Sequence, residues 1–365
     1  MTNERLIVMN VEEIIVNAAG RKASDIHVAC GQPIKLRVHG ELIDYDEHVM
    51  THEDCDEFGK LLAGEGYDSI GSCGELDFAG TVGGRRIRVN LYRQQTHLSA
   101  AIRILNDGIP ELESLGLPDT VGNLTETKRG IVLVTGETGS GKSTTLAALL
   151  NKINHTRRKH IITLEDPIEY QYEADLCVID QREIGRDTNS YESGMKAILR
   201  EDPDVILIGE MRSLDTIETA ITAAETGHLV FATLHTNSAS DAVDRIVSVF
   251  PGEKQQQIRL QLSTTLNAVI SQQLLPRSDG QGRVLAYEIM VVNSAIRNLR
   301  REGKTPQIDN SIQTSSQEGG VLMDNTLLRL IGEGKISIDT GLEAARDKDR
   351  IRAKLGSFAR TSLHR

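Results

Sequence analysis

IVLVTGETGSGKSTTLAALL, residues 131–150, decides the fold of the larger part of this chain. Ile131, Val132, Leu133 and Val134 are consecutive apolar β-formers that predict a buried strand, and Lys142 to Leu150 reads as a helix. GETGSGKS between them fits G-x-x-x-x-G-K-[ST] at every fixed position. Gly136, Gly139 and Gly141 let the backbone turn so that consecutive N–H groups point inward at an anion. The helix that follows adds its partly positive N-terminal end at the same spot. Lys142 reaches β- and γ-phosphates, and the Ser143 hydroxyl is placed to ligate Mg²⁺. The expected nucleotide contacts are Gly136, Glu137, Thr138, Gly139, Ser140, Gly141, Lys142, Ser143 and Thr144.

Around this stretch, 365 residues leave room for two or three domains. Aromatics are only 3% with no Trp, so the cores must be mostly aliphatic. The net charge of −11 argues against nucleic acid as a main partner. Residues 1–124 hold 11 Lys+Arg against 20 Asp+Glu, whereas residues 125–365 hold 30 against 32, which supports a boundary near residue 124. Cys30, Cys55, Cys73 and Cys177 form no C-x-x-C pair, so neither a zinc site nor a secreted disulfide framework is expected. No apolar run is long enough to span a membrane, and MTNERLIVMNVEE lacks a signal-peptide core. A cytoplasmic protein that meets membranes only through partners is expected.

Along the chain, Val11–Ala19 has helical spacing with Gly20 as its C-cap, and Thr51–Ala63 reads as a helix capped by Thr51. Strands are expected at Asp25–Ala29, Ile34–Val38, Leu76–Ala79, Arg86–Tyr92 and Leu98–Leu105, with a turn at His39-Gly40. Helices and strands in that order predict an α+β domain over 1–105 with an antiparallel sheet. Residues 106–124 carry two Pro and three Gly and read as a linker ending in a short helix. Over 125–292 the pattern becomes α/β, with strands at 131–135, 160–165, 205–209, 229–234 and 284–291. Helices are expected at 142–153, 190–200, 214–226 and 238–249. A longer one at 253–275 follows the four-spaced stripe Ile258, Leu262, Leu266, Ile270 and Leu274. Residues 293–365 read as a helical region with a frayed, basic last dozen.

ATP hydrolysis also needs a metal carboxylate, a water-activating carboxylate and cations for charge developing on the γ-phosphate. Glu210, closing DVILIGE after an apolar strand, fits the first role. ITLEDPIE (162–169, with Ile161 before it) ends in Glu165, Asp166 and Glu169 at a strand C-terminus, where parallel sheets place their ligands. Spacing alone does not say which of these acids is the base. Arg88 and Arg103 stand on strands of the acidic first domain, where an arginine could reach phosphates from another domain or pair with acids on a solvated sheet face. Arg85 and Arg86 stand close by. His228 and His235, seven residues apart at the two ends of one strand, cannot both cap the same crevice directly.

These segments together resemble the secretion ATPase superfamily of type II secretion and type IV pilus motors, and within it the pilus retraction ATPase family. The motifs carrying the likeness are SDIHV (24–28), the phosphate loop, ITLEDPIEY, QREIGRDT (181–188), LREDPDVILIGEMR and TAAETGHLVFATLHTNSASDAVDRI. AIRNLRREGKTPQI (295–308) resembles the family's AIRNLIRE signature, with Arg300 where the family has an apolar residue. The resemblance implies a RecA-like P-loop core, a smaller PAS-like α+β amino-terminal domain and a homohexameric ring. It implies Glu169 as catalytic base, Glu210 as the Walker B carboxylate, His228 and His235 as the His-box pair, and Arg88 and Arg103 as phosphate-reaching arginines. ATP with Mg²⁺ is the implied substrate complex, bound in the cleft between the two domains, whose angle its occupancy changes. An inner-membrane pilus platform protein is the implied partner. The expectation is a retraction motor, with an assembly or secretion ATPase and a poorly hydrolysing adaptor ring as alternatives. Secretion ATPases are usually longer and commonly carry a tetracysteine site; a DNA-handling protein is disfavoured by charge and by the shortage of aromatics.

Overall fold

Val132 and Val134 enter one hydrophobic core and Ile131 and Leu133 another, so the strand that precedes the glycine loop is covered on both faces. The computed structural model describes residues 10–38, 40–105 and 108–362. Two compact units emerge: one reaches to Gly108 and takes in Pro167–Gln171, the other comprises Ile109–Asp166 and the chain from Tyr172.

In the first unit, α1 (Val11–Gly20) buries Val11, Ile14, Ile15 and Ala18, the spacing of one helical face. It is followed by β1 (Ala23–Ala29), β2 (Pro33–Val38), β3 (Glu41–Val49), α2 (His52–Ala63), α3 (Ile70–Cys73), β4 (Glu75–Val82), β5 (Arg85–Gln94) and β6 (His97–Ile104). The six strands form one sheet in the order β3-β2-β1-β6-β5-β4, antiparallel at every pair as expected. Thr51 caps α2 as expected, and Asp54 completes a capping box with it. Gly20 does not cap α1. The helix includes it, Arg21 is the cap residue and Lys22 takes the positive φ of 59°. Tyr45 explains this: its ring lies 4.9 Å from the Arg21 guanidinium, and its carbonyl accepts from Arg21 Nη1. The strand β3 escaped sequence reading because it is an edge strand whose residues are nearly all exposed, which leaves no alternating pattern. The expected turn residue His39 lies outside the described residues.

In the second unit, the stretch expected as a linker is packed from Leu112 onward. Leu112, Val121 and Leu124 join the core around Val132 and Val134; within this stretch, 106 and 107 lie outside the described residues. Then follow α4 (Asp119–Gly122), β7 (Gly130–Thr135), α5 (Lys142–Thr156), β8 (His160–Glu165), β9 (Val178–Glu183), α6 (Tyr191–Ile198), β10 (Val205–Ile208), α7 (Leu214–Thr226), β11 (Leu229–Leu234), α8 (Ala239–Ser248), α9 (Gly252–Thr265), β12 (Leu266–Pro276) and β13 (Arg283–Val291). The sheet order is β13-β12-β7-β11-β10-β8-β9, parallel throughout except for β13. The expected helix 253–275 stops at Thr265, and Leu266–Pro276 is a strand beside β7. A spacing of four is also an even number, so Leu266, Ile270 and Leu274 share a face in a strand as well as in a helix. The edge strand β9 was missed because only the first two residues of VIDQRE are apolar, and Val178 is 62% exposed.

The C-terminal region folds as α10 (Ser294–Arg301), α11 (Ile308–Thr314), α12 (Met323–Gly332), α13 (Ile338–Ala344) and α14 (Lys348–Ser362). The last helix therefore runs to Ser362, through most of the dozen residues expected to fray. Buried Glu288 of β13 ties this region down: its carboxylate accepts from the N–H groups of Ala239 and Met323, at the starts of α8 and α12. Arg346 approaches the same carboxylate and also pairs with Asp309.

Arg300, the departure from the AIRNL pattern, is 1% exposed on α10, which packs on α9. Its Nη2 donates to the carbonyl of Leu262 in the last turn of α9, a favourable place for a cation, while Nε and Nη1 have no partner among the described residues. Burial and Arg297 push this guanidinium down to about 9. A base held more weakly protonated in the fold opposes folding at every pH below that value. Arg300→Leu is therefore expected to raise stability at neutral pH by about 1 kcal/mol or more. Denaturant unfolding of the two proteins at pH 7 checks this, and a loss of stability would refute it.

Candidate functional site

At the C-terminal end of β7 the chain turns through Gly136–Gly141, with φ of +143°, +78° and +93° at Gly136, Gly139 and Gly141. Gly136 has a second reason to be glycine. A Cβ there would lie 2.4 Å from the Gln272 carbonyl oxygen and 2.5 Å from Ser140 Oγ. Gly141 is the cap residue of α5 and no side chain caps that helix, so its first N–H groups are left for an outside acceptor. Lys142 is 9% exposed, and its ammonium donates to the carbonyl oxygens of Gly136 and Glu137, both at 2.9 Å. The cation is thus held at the loop, where phosphate oxygens can replace those carbonyls. Ser143 and Thr144 are half-buried on the first turn of α5.

Beneath the loop lies a polar layer that sequence reasoning did not single out. Thr135 and Ser271 share a hydrogen bond of 2.7 Å, and Gln272 Nε2 donates to Thr145 Oγ1 at 2.7 Å. Ser140 Oγ and Gln272 Oε1 are buried without partners among the described residues. Such unmet groups are costly in a folded core, and both residues sit directly beside the glycine loop. A cavity of about 470 Å³ opens on the Glu137–Ser140 side of the loop, bounded by Asp241, Leu274, Arg283 and Arg346.

The acids come from the ends of the neighbouring parallel strands. Glu210 follows β10, and its Oε1 accepts from Arg212 Nε and lies 3.3 Å from His235 Nε2 at the end of β11. Burial and then the nearby Lys142 charge lower the His235 pKa against the pull of Glu210. Lys142, Glu210, Arg212 and His235 are therefore one electrostatic group. Glu165 at the end of β8 accepts from Thr163 Oγ1 at 2.7 Å and from Gln181 Nε2 at 3.2 Å. The Tyr191 phenol lies among these acids; burial, then Asp166, Glu210 and Glu165, push its pKa up. Its hydroxyl would be 2.9 Å from a Cβ at Gly209 and the Leu164 carbonyl oxygen 3.1 Å, so the residue before Glu210 sits in a tight place at the strand end.

His228 is not brought to this group. It sits at the opposite end of β11, where its Nδ1 lies 2.8 Å from the Ala223 carbonyl and 3.2 Å from Thr226 Oγ1, closing the turn after α7. In the first unit, Arg88 and Arg103 are direct cross-strand neighbours on β5 and β6. Arg88 pairs with Asp77 at 2.6 Å and Arg103 with Asp25 at 3.0 Å. Glu169 belongs to the stretch Pro167–Gln171 that groups with this unit.

A parallel sheet that feeds an uncapped helix through a glycine loop, with carboxylates closing the next strands, defines a P-loop ATPase with a RecA-like core. The chain belongs to the type IV pilus retraction ATPase family, within the Type II/IV secretion system proteins, whose family model matches residues 85–339. The type IV pilus retractation ATPase PilT of Pseudomonas aeruginosa is 42% identical over 343 residues, covering 93% of this chain and 98% of that protein. The twitching motility protein of Neisseria gonorrhoeae is 42% identical, covering 86% and 84%. A crystal structure of the pilus retraction motor PilT with bound ADP is similar with a TM-score of 0.86 at 43% identity, covering 94% of this chain and 98% of that one.

Gly136→Ala is expected to weaken ATP binding at least tenfold (about 1.4 kcal/mol), because the added carbon collides with backbone as well as with Ser140. Titration with a fluorescent ATP analogue measures it; unchanged affinity would mean that the loop can relax around a side chain.

Proposed function

We propose that this chain is a subunit of a homohexameric motor that hydrolyses ATP to retract type IV pili. The observation that carries the reading is the meeting of Lys142, Glu210 and His235 at an uncapped helix start. Lys142 and the loop N–H groups grip the phosphates. Ser143 and Glu210 are the residues that would hold Mg²⁺. The fit is chemical: this ion usually takes only one or two protein ligands and completes its shell with phosphates and water. Bound there, it would neutralise charge on the phosphate oxygens.

Glu169 acts as the base for the attacking water, with Arg88 and Arg103 supplying cations for charge building on the γ-phosphate. Both arginines already hold carboxylates, so contact with phosphate exchanges one anionic partner for another. Cations carried by one unit and a phosphate loop by another make closure a condition of catalysis, and phosphate release then removes the attraction. His235 tunes the Glu210 group, and His228 serves the α7–β11 turn. The partner is the pilus platform protein of the inner membrane. No helix among the described residues is long and apolar enough to cross a membrane, in keeping with a peripheral, cytoplasmic position. Nucleic acid is not a partner of so acidic a chain.

Lys142→Ala is expected to abolish phosphate release, and wild-type turnover no greater than that of this variant would rule out a motor. Glu169→Gln is expected to keep ATP binding within about threefold while lowering kcat about 100-fold or more. Normal turnover in that variant would move the base to Glu165 or Asp166. In cells, deletion of the gene is expected to leave excess pili that do not retract. Loss of surface pili would instead identify an extension motor.

A further inference from the structure

Pro167–Gln171 interrupts the second unit in sequence yet packs with the first. One grip is specific: Nε and Nη2 of Arg86 donate to the carbonyl oxygen of Ile168 at 3.2 and 3.0 Å. That carbonyl belongs to the peptide joining Ile168 to Glu169, so the two-pronged bond acts directly on the backbone that carries the Glu169 side chain. Pro167 restricts the backbone on the other side of Ile168, and Tyr170, 8% exposed, anchors the stretch beyond Glu169. A planar guanidinium holds a single oxygen with two donors in a way that an ammonium cannot.

The strand that presents Arg86 matters as much as the bond. Along β5, Ile87, Val89 and Leu91 are buried in the core of the first unit, so Arg86 and Arg88 share the opposite face. Arg103 is paired beside Arg88 on β6. We infer that Arg86 is a positioning residue for catalysis: by holding the Ile168 carbonyl on the sheet face that carries Arg88 and Arg103, it makes the Glu169 carboxylate move with the first unit. This rests on the reading of Glu169 as the base. The water-activating carboxylate and the phosphate-reaching cations then arrive together and leave together. ATP held by the loop alone stays intact until the first unit delivers both.

The test is ATP turnover by the assembled full-length protein, in steady state and in single turnover. Arg86→Ala is expected to lower kcat 10- to 100-fold, with the KM for ATP and the affinity for a fluorescent ATP analogue within threefold and an unchanged Tm. Arg86→Lys, which keeps the charge but not the fork, is expected to fall in between, and it carries the comparison if the alanine variant folds poorly. In a Glu169→Gln background, Arg86→Ala is expected to cost nothing further, because both changes disable the same step. Equal losses in the two backgrounds, or wild-type kcat in the Arg86 variants, overturn the inference. Glu169→Gln with full turnover removes the base assignment beneath it, a separate failure visible before Arg86 is changed.

Discussion

A triphosphate is strongly anionic, and a chain of net charge −11 can hold it only where positive potential is concentrated locally. That concentration is the uncapped start of α5 with Lys142 drawn in beside it. The rest of the second unit serves to fix that point. A strand buried on both faces ends at a glycine loop, and the loop cannot turn elsewhere because Gly136 is pressed against β12 and Ser140. Partial charges of main-chain N–H groups need no counterion and cannot swing away, which makes them a steadier cradle than surface lysines.

Parallel strand ends bring the remaining groups to the same edge of the sheet. With β7, β11, β10 and β8 side by side and pointing one way, whatever follows each strand lies along one crevice. The residues there are Lys142 after the loop, His235 after β11, Glu210 after β10 and Glu165 at the end of β8. Their charges are mutually adjusted: Glu210 pulls on His235 and Arg212, while Lys142 opposes protonation of His235. Below the loop, Ser140 Oγ and Gln272 Oε1 have no partner among the described residues, while Lys142 is bonded to the Gly136 and Glu137 carbonyls.

The first unit contributes a different kind of surface. Asp25, Arg103 and Arg88 lie in register across β1, β6 and β5, with Asp77 of β4 alongside, so the arginines are aligned, Arg88 on the exposed Asp77 carboxylate and Arg103 on the half-buried Asp25. An exposed ion pair such as Arg88–Asp77 is weak and readily exchanged. Arg86 on the same face holds a backbone carbonyl instead, which links that surface to the segment bearing Glu169.

Local chemistry was legible in the chain: GETGSGKS, DVILIGE and the helix cap Thr51 each need only neighbours in sequence to do their work. The buried strands were legible too, because a sheet covered on both faces demands continuous apolar runs. The edge strands β3 and β9 left no such mark, and β12 was hidden because a four-residue spacing satisfies both a helix and a strand. Nor could sequence separate His235 from His228, or show that Arg86 meets Ile168, since those facts depend on which strand lies beside which. The sequence by itself determined the glycine loop between strand and helix, the carboxylates that close the neighbouring strands and the change from an α+β to an α/β pattern. Only the tertiary structure decided which of these groups share a crevice and which unit holds Glu169, because contacts between residues far apart in the chain are set by sheet order and packing.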